Sequence, residues 1–233
     1  MELIVVGSIT IDKNIFPNGK KEQTIGGPPI YAAATAQALK KKIGIVSKVG
    51  TDFQVKYLQT IKNYNSDLNG FRIKGKTSMR FENHYDEKGH RTQKLVSQSE
   101  KLSIKDFPDI YFDVPCVHLS PVFHEIPSEL FEKLVSSFNF VSCDIQGFVR
   151  KKSSEEDNTL ILNEWPNYED FLPKIDLLKV DAQELKALTG ESTLTKAIAR
   201  INKKESVKIL VITLAQKGSI IVFNGEQHKI PAL

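Results

Sequence analysis

The sequence pattern predicts an α/β fold: a doubly wound, mostly parallel sheet with flanking helices and a small projecting β-sheet. Three observations carry this. Short β-branched apolar runs alternate with stretches of helical spacing. Residues 43–49 form such a run with little polar alternation, as expected of a strand buried on both faces. Glycine or an acidic residue follows several of the runs, where open α/β sheets place their ligands.

Taken in order, residues 3–6 predict a strand ending at Gly7, with Asp12 just beyond it. Residues 14–24 contain Pro17, Asn18 and Gly19 and predict an exposed hairpin. Gly26 and Gly27 allow a tight turn into a helix rich in small residues (Ala32, Ala33, Ala34, Ala36, Ala38), followed by the strand at 43–49. Residues 53–64 have helical spacing through Val55, Leu58 and Ile61, and 70–73 can be a strand. Residues 79–96 are β-rich and broken at 86–89; with the earlier hairpin they predict a small sheet projecting from the main layer, at about 13–25 and 77–98. Strands at 114–119 and 140–145 flank a helix at 127–138 carrying Leu130, Leu134 and Val135. Residues 151–158 read as an exposed loop. A strand at 177–180, a helix opening at Asp181, a helix at 192–202 and a strand at 207–213 follow, then a hairpin across Asn224-Gly225.

Composition bounds the function. With 233 residues and 40% hydrophobic content the chain can bury one large core, so residues 1–233 read as a single domain with an appendage. A net charge of +4 is too mild to imply nucleic acid. Two cysteines, Cys116 and Cys143, in apolar surroundings suit a reducing compartment. No apolar run approaches the roughly 20 residues of a membrane span, and the N-terminus enters a strand with no signal-peptide pattern. The expected location is cytoplasmic.

Several residues carry candidate chemistry. Asp12 is placed to accept hydrogen bonds from substrate hydroxyls, with a turn carboxylate as the alternative. Asp144, Gln146 and Arg150 cluster past a strand and could hold a polyhydroxylated ligand or its charged group. Asp181 and Glu184 have capping-box spacing. Thr213 and Gly218 bound a turn whose amides could face an anion, or which simply opens a hairpin. His118 and His124 have no zinc or triad spacing and read as strand-end and loop residues, and no Gly-x-Gly-x-x-Gly dinucleotide fingerprint follows a strand.

Four segments together resemble the ribokinase-like (PfkB) family of carbohydrate and nucleoside kinases. They are Val6-Gly-Ser-Ile-Thr-Ile-Asp12, the stretch from Gly26-Gly27 to Val49-Gly-Thr-Asp-Phe53, Val180-Asp-Ala-Gln-Glu184 through Gly190, and Thr213-Leu-Ala-Gln-Lys-Gly218. The form Asp144-Ile-Gln-Gly-Phe-Val-Arg150 is similar to the branch that includes myo-inositol kinases. The resemblance implies phosphoryl transfer from ATP with Mg²⁺ to a hydroxyl of a sugar or polyol. Asp12, Gly26, Gly27, Asp144, Gln146 and Arg150 would hold the acceptor; Asp181, Glu184, Thr213 and Gly218 would face the nucleotide, with Glu184 also acting indirectly on the metal. It also implies a lid that in some members is a dimer interface, and so a homodimer through the lid strands. The sequence departs from the family pattern at five positions: Tyr31 stands where Asn is frequent, Gln146 replaces Asn, Arg150 comes two positions later than the family's Arg, Asp181 replaces Asn, and Ala215 replaces Gly. Tyr31 keeps a nucleoside open as the acceptor. The family's Gly-Ala-Gly-Asp segment, which carries the catalytic base, is not among the 233 residues, so the C-terminal part of the fold and the base are expected beyond Leu233. A catalytically inactive ligand-binding or regulatory protein is the alternative.

Overall fold

A computed structural model of the chain describes residues 1–154, 156–203 and 207–232. The N-terminal half runs β1 (Leu3–Val6), β2 (Thr10–Ile15), β3 (Lys21–Gly26), α1 (Pro28–Ala38), β4 (Gly44–Val49), α2 (Val55–Asn63), β5 (Asp67–Ile73), β6 (Met79–Tyr85) and β7 (Arg91–Ser97). Next come β8 (Cys116–Leu119), α3 (Ser128–Val135), β9 (Phe140–Asp144), β10 (Arg150–Lys152), β11 (Leu160–Leu162) and α4 (Tyr168–Phe171). The chain continues through β12 (Leu177–Asp181), α5 (Ala182–Thr189), α6 (Leu194–Lys203), β13 (Ile209–Thr213), β14 (Ser219–Phe223) and β15 (Glu226–Ile230).

The main sheet has the order β15-β14-β13-β12-β9-β8-β1-β4-β5. From β5 to β13 every neighbouring pair is parallel, and β13-β14-β15 is an antiparallel meander. Burial explains the strand composition. In β1, Ile4 and Val6 enter one core and Val5 the other, so the strand is apolar without alternation. The first core lies under α3, α5 and α6; the second lies under α1 and α2, where Ala33 and Ala36 let α1 pack close.

The chain adds β4 and β5 on one side of β1, then returns to add β8, β9, β12 and β13 on the other. The order therefore reverses between β1 and β8, and a crevice opens there at the carboxyl ends of the parallel strands. Over it sits a separate four-stranded sheet, β3-β2-β6-β7. Its Met79, Phe81 and Leu95 are buried against Val122 and Phe123 of the loop after β8, which anchors the lid to the main layer.

Three local readings change. Helix α2 buries Tyr57 and Ile61 and leaves Val55 69% exposed, because Tyr57 packs on Phe53 and so turns the inward face away from Val55. Residues 150–152 form β10, antiparallel to β11, where a loop was expected from 151; Glu155 of that stretch lies outside the described residues. Strand β2 starts at Thr10, so Asp12 stands inside a lid strand, opposite Thr24 and Phe81, and not in a turn.

Candidate active site

The crevice is a cleft of about 470 Å³ whose lining includes Asp12, Gly27, Tyr31, Asp144, Gln146 and Arg150. Its roof is the lid, through Phe81, Arg91 and Gln93. Strand alternation puts Thr10 and Asp12 on the cleft face of β2 and Ile11 in the core.

Two glycines make room for Asp12. An ideal Cβ on Gly26, which pairs with Thr10, would lie 2.5 Å from Asp12 Oδ2. Gly27 has φ 91° and caps α1, and a Cβ there would overlap the Ser8 carbonyl. Pro28 and Pro29 occupy the first turn of α1, which removes two N–H groups from its N-terminus. That end of the helix is therefore poorly suited to hold an anion and better suited to packing against a neutral ligand.

Burial raises the pKa of Asp12, against the pull of Thr10, Arg91 and Arg150. Among the described residues, four buried side-chain polar atoms lack a hydrogen-bond partner: Thr10 Oγ1, Asp12 Oδ1, Gln93 Oε1 and Ser99 Oγ. The first three belong to residues lining this one cleft. Orphaned polar atoms gathered in one crevice are what a bound ligand would satisfy.

The floor of the cleft is electrostatically organised. Asp144, at the end of β9, pairs with Lys179 Nζ at 2.8 Å and accepts the Gln146 amide at 3.0 Å. Burial pulls the Lys179 pKa down, but Asp144, Glu184 and Asp181 together hold it above its ordinary value. Arg150, pushed down to about 10 by burial, stays protonated at neutral pH and donates to the Val122 carbonyl at 3.4 Å. His118 also lines the cleft, with its Nδ1 2.7 Å from Ser142 Oγ, and burial lowers its pKa, so its ring is neutral at pH 7. His124 sits in a loop with its ring bonded to the Arg150 carbonyl.

The loops on either side of the switch point share one support. Buried Glu125 accepts the Ser8 amide at 2.9 Å, the Val122 amide at 2.9 and 3.0 Å, and the Phe123 amide at 2.8 Å. It ties the segment leading to Thr10 and Asp12 to the loop under the lid.

The other four predicted residues lie farther along the same sheet edge. Asp181 and Thr213 are register partners at the ends of β12 and β13. Asp181 and Glu184 form the complete capping box: Asp181 Oδ1 accepts the Gln183 and Glu184 amides at 2.7 and 2.8 Å, and Glu184 Oε2 accepts the Asp181 amide at 2.8 Å. Burial, with the nearby Asp181 and Asp144 charges, pushes the Glu184 pKa up to about 7. Thr213 Oγ1 donates to the Val180 carbonyl at 3.4 Å. Gly218, at φ 88°, has the backbone of Ile230 where a Cβ would be, so its identity is required by the closing hairpin. The base expected beyond Leu233 is outside the described residues.

Thr10, Arg91, Gln93, Lys179 and Glu125 escaped the sequence reading. Lys179 had a signal: in Leu-Leu-Lys-Val-Asp, alternation puts it on the same face as Asp181 and opposite the buried Leu178 and Val180.

The fold is α/β, with a polar cleft at its switch point beneath a small β-sheet. The model for pfkB family carbohydrate kinases matches residues 2–233, and the chain belongs to that family. It is 26% identical over 234 residues to a cytidine kinase of Thermococcus kodakarensis, covering all of this chain and 80% of that protein. A pyrophosphate-dependent kinase in the ribokinase family, solved with a pyrophosphate analog and myo-inositol, superposes with a TM-score of 0.83 at 27% identity over 98% of this chain and 78% of its own. A ribokinase of Arabidopsis thaliana complexed with ribose and ATP, at 20% identity and a TM-score of 0.72 over 78% of that chain, shares the fold.

Proposed function

We propose that this kinase transfers the terminal phosphoryl group of ATP to a hydroxyl of a small polyhydroxylated molecule, an inositol-like polyol or a sugar. The observation that carries this reading is the pair of buried, unpartnered oxygens Asp12 Oδ1 and Gln93 Oε1 on residues that line one cleft, beside the Thr10 hydroxyl. Carboxylate and amide oxygens accept hydrogen bonds, so they call for a ligand rich in O–H donors.

In this reading Asp12 takes two hydroxyls and orients the acceptor, while Gly26 and Gly27 let the ring approach the backbone. Asp144, Gln146 and Arg150 close the opposite wall. Asp181, Glu184, Thr213 and Gly218 face the donor, and Lys179 neutralises charge between the two halves. Such transfer depends mainly on positioning and charge stabilisation. Among the described residues no three His, Cys, Asp or Glu side chains converge into a protein-only metal cage, and Mg²⁺ held mostly by phosphate oxygens and water needs none. Glu184, 2% exposed and committed to the Asp181 amide, fits only an indirect role toward such an ion. Mg²⁺ would neutralise charge on the phosphates. No described residue is assigned as the base.

Two likenesses favour a second reading. The cytidine kinase match and the 65% exposed Tyr31 on the cleft rim favour a nucleoside acceptor, and the pyrophosphate-dependent relative favours pyrophosphate as donor. Unpaired Cys116 and Cys143 support the cytoplasmic assignment, and the outer edge of β3 is where a second copy would join the lid.

Titration calorimetry of the chain with myo-inositol, ribose and cytidine, alongside turnover assays with ATP or pyrophosphate and Mg²⁺, tests these readings. Binding of myo-inositol or ribose that Asp12→Asn abolishes supports the first; cytidine binding alone supports the second. Acceptor binding without turnover from either donor turns the conclusion to a binding protein. Absence of binding by all three acceptors overturns the polyol and nucleoside readings together.

A further inference from the structure

The orphaned oxygen of Gln93 does not stand alone. Asn14 on β2, Asn83 on β6 and Gln93 on β7 are register partners across the lid, Asn14 opposite Asn83 and Asn83 opposite Gln93. Their side chains form a directed relay. Gln93 Nε2 donates to Asn83 Oδ1 at 2.8 Å, and Asn83 Nδ2 donates to Asn14 Oδ1 at 2.9 Å. Asn83 is only 2% exposed, so little water competes for its bonds. The relay commits one N–H of Gln93 to the lid and leaves Oε1 buried, unpartnered and on a residue that lines the cleft.

A primary amide can normally turn over and present either a donor or an acceptor. Turning this one alone would set Gln93 Oε1 against Asn83 Oδ1; only turning all three amides together re-forms the relay, with its direction reversed. We propose that Gln93 is a specificity-determining residue which reads one hydroxyl of the acceptor, and that Asn83 and Asn14 are positioning residues which hold its Oε1, a hydrogen-bond acceptor, free for that hydroxyl. This inference rests on the polyol reading of the same cleft. It goes further in assigning the lid a chemical preference: the group beneath Gln93 must carry an O–H or N–H, and a C–H, C–F or ether at that place is rejected because Oε1 then stays unpaired.

The test is calorimetric affinity of the full chain for myo-inositol and for a panel of monodeoxy-inositols, in wild type and variants. Wild type is expected to lose about 10- to 100-fold for the analogue lacking the hydroxyl read by Gln93. In Gln93→Leu that analogue and myo-inositol should bind within about 2-fold of each other, while the penalties at the hydroxyls read by Asp12 persist. Asn83→Leu should show the same selective collapse, partially. Asn14→Asp, whose carboxylate can only accept, keeps the relay direction and should restore the wild-type pattern that Asn14→Ala loosens. Thermal melts of each variant without ligand separate a folding defect from a change in selectivity. A wild-type deoxy-inositol profile retained in a folded Gln93→Leu overturns the relay and leaves the kinase reading intact. Failure of wild type to bind myo-inositol at all overturns both.

Discussion

Under the proposed function, the two halves of the site are built on opposite principles. On the proposed acceptor side, around Asp12, polar atoms are buried and left without partners. On the proposed donor side, around Asp181, the candidate residues are satisfied within the fold: the Asp181–Glu184 capping box is closed, Thr213 bonds to Val180, and Gly218 packs on Ile230. Unsatisfied buried groups cost stability and are kept where a ligand repays them, whereas closed networks stabilise the fold whether or not anything binds. The acceptor cleft is therefore preorganised for a ligand. The donor residues have structural work that a ligand must share.

The hardest test of this contrast is Glu125, because it belongs to the acceptor side yet is closed like the donor side. Glu125→Ala leaves the buried amides of Ser8, Val122 and Phe123 without their acceptor. At about 1 kcal/mol or more for each stranded donor, unfolding free energy should fall by roughly 3 kcal/mol or more in urea melts. Glu125→Gln should fall in between, since it keeps part of the acceptor set. A loss below about 1 kcal/mol for the alanine variant means that water replaces the carboxylate and the tie between the two loops is weak.

Asp12 should behave in the reverse way. Asp12→Asn is expected to lower affinity for a polyol acceptor about 100-fold, close to 2.7 kcal/mol, without destabilising the free protein. The sign follows from its raised pKa. The stability linked to the protonated carboxyl is fully present below the unfolded value and is lost as pH rises through the folded one, so ionised Asp12 burdens the empty fold at neutral pH. Asp12→Asn should thus be as stable as wild type, or more so, at pH 7. Intact affinity with a destabilised fold would make Asp12 a structural carboxylate of the lid.

What the sequence revealed follows the same division. Asp12, Asp144, Gln146 and Arg150 lie in segments that resemble the family, and it is this resemblance that singles them out, strand position alone leaving Asp12 open as a turn carboxylate. Gln93 could not be found that way. It reaches the cleft because β7 pairs with β6 in the register that sets Gln93 opposite Asn83, and register across a hairpin is a property of the folded sheet. Glu125 was hidden for a related reason: its partners are backbone amides, which leave no mark in a side-chain pattern. The alternation of parallel strands and helices was legible because burial on both faces shapes composition directly. The β10-β11 ribbon was not, at three residues per strand.

Glu184 sharpens the comparison from the donor side. Glu184→Ala opens the capping box and should cost about 1 kcal/mol at pH 5. Glu184→Gln preserves an acceptor for the Asp181 amide and should cost less. The pH dependence separates charge from geometry. With its pKa raised from 4.5 to about 7, Glu184 contributes stability that is complete below about 4.5 and is lost as pH rises through about 7. Glu184→Gln should therefore flatten the decline of stability across that interval. An unchanged slope in the glutamine variant would place the titration on another group.

The smallest effect concerns the turn between β13 and β14, where the donor side departs from its family. Ala215 holds φ 51°, a left-handed backbone that costs an L-residue with a Cβ roughly 1 kcal/mol and glycine almost nothing. The turn is closed around it: Gly218 N donates to the Ala215 carbonyl at 3.0 Å and Leu214 N to the Gly218 carbonyl at 2.8 Å. Ala215→Gly should therefore raise stability by about 0.5–1 kcal/mol, part of the strain relief being offset by the extra freedom of glycine in the unfolded chain. For a chain of this size that is a rise of about 1–4 °C in melting temperature. If the donor side is a closed structural network, the gain should appear in full without ligand and add to that of Asp12→Asn, which lies on a separate sheet. A gain that appears only with a phosphate donor bound would show that Ala215 is strained for the ligand, and that the donor side is as preorganised as the acceptor cleft.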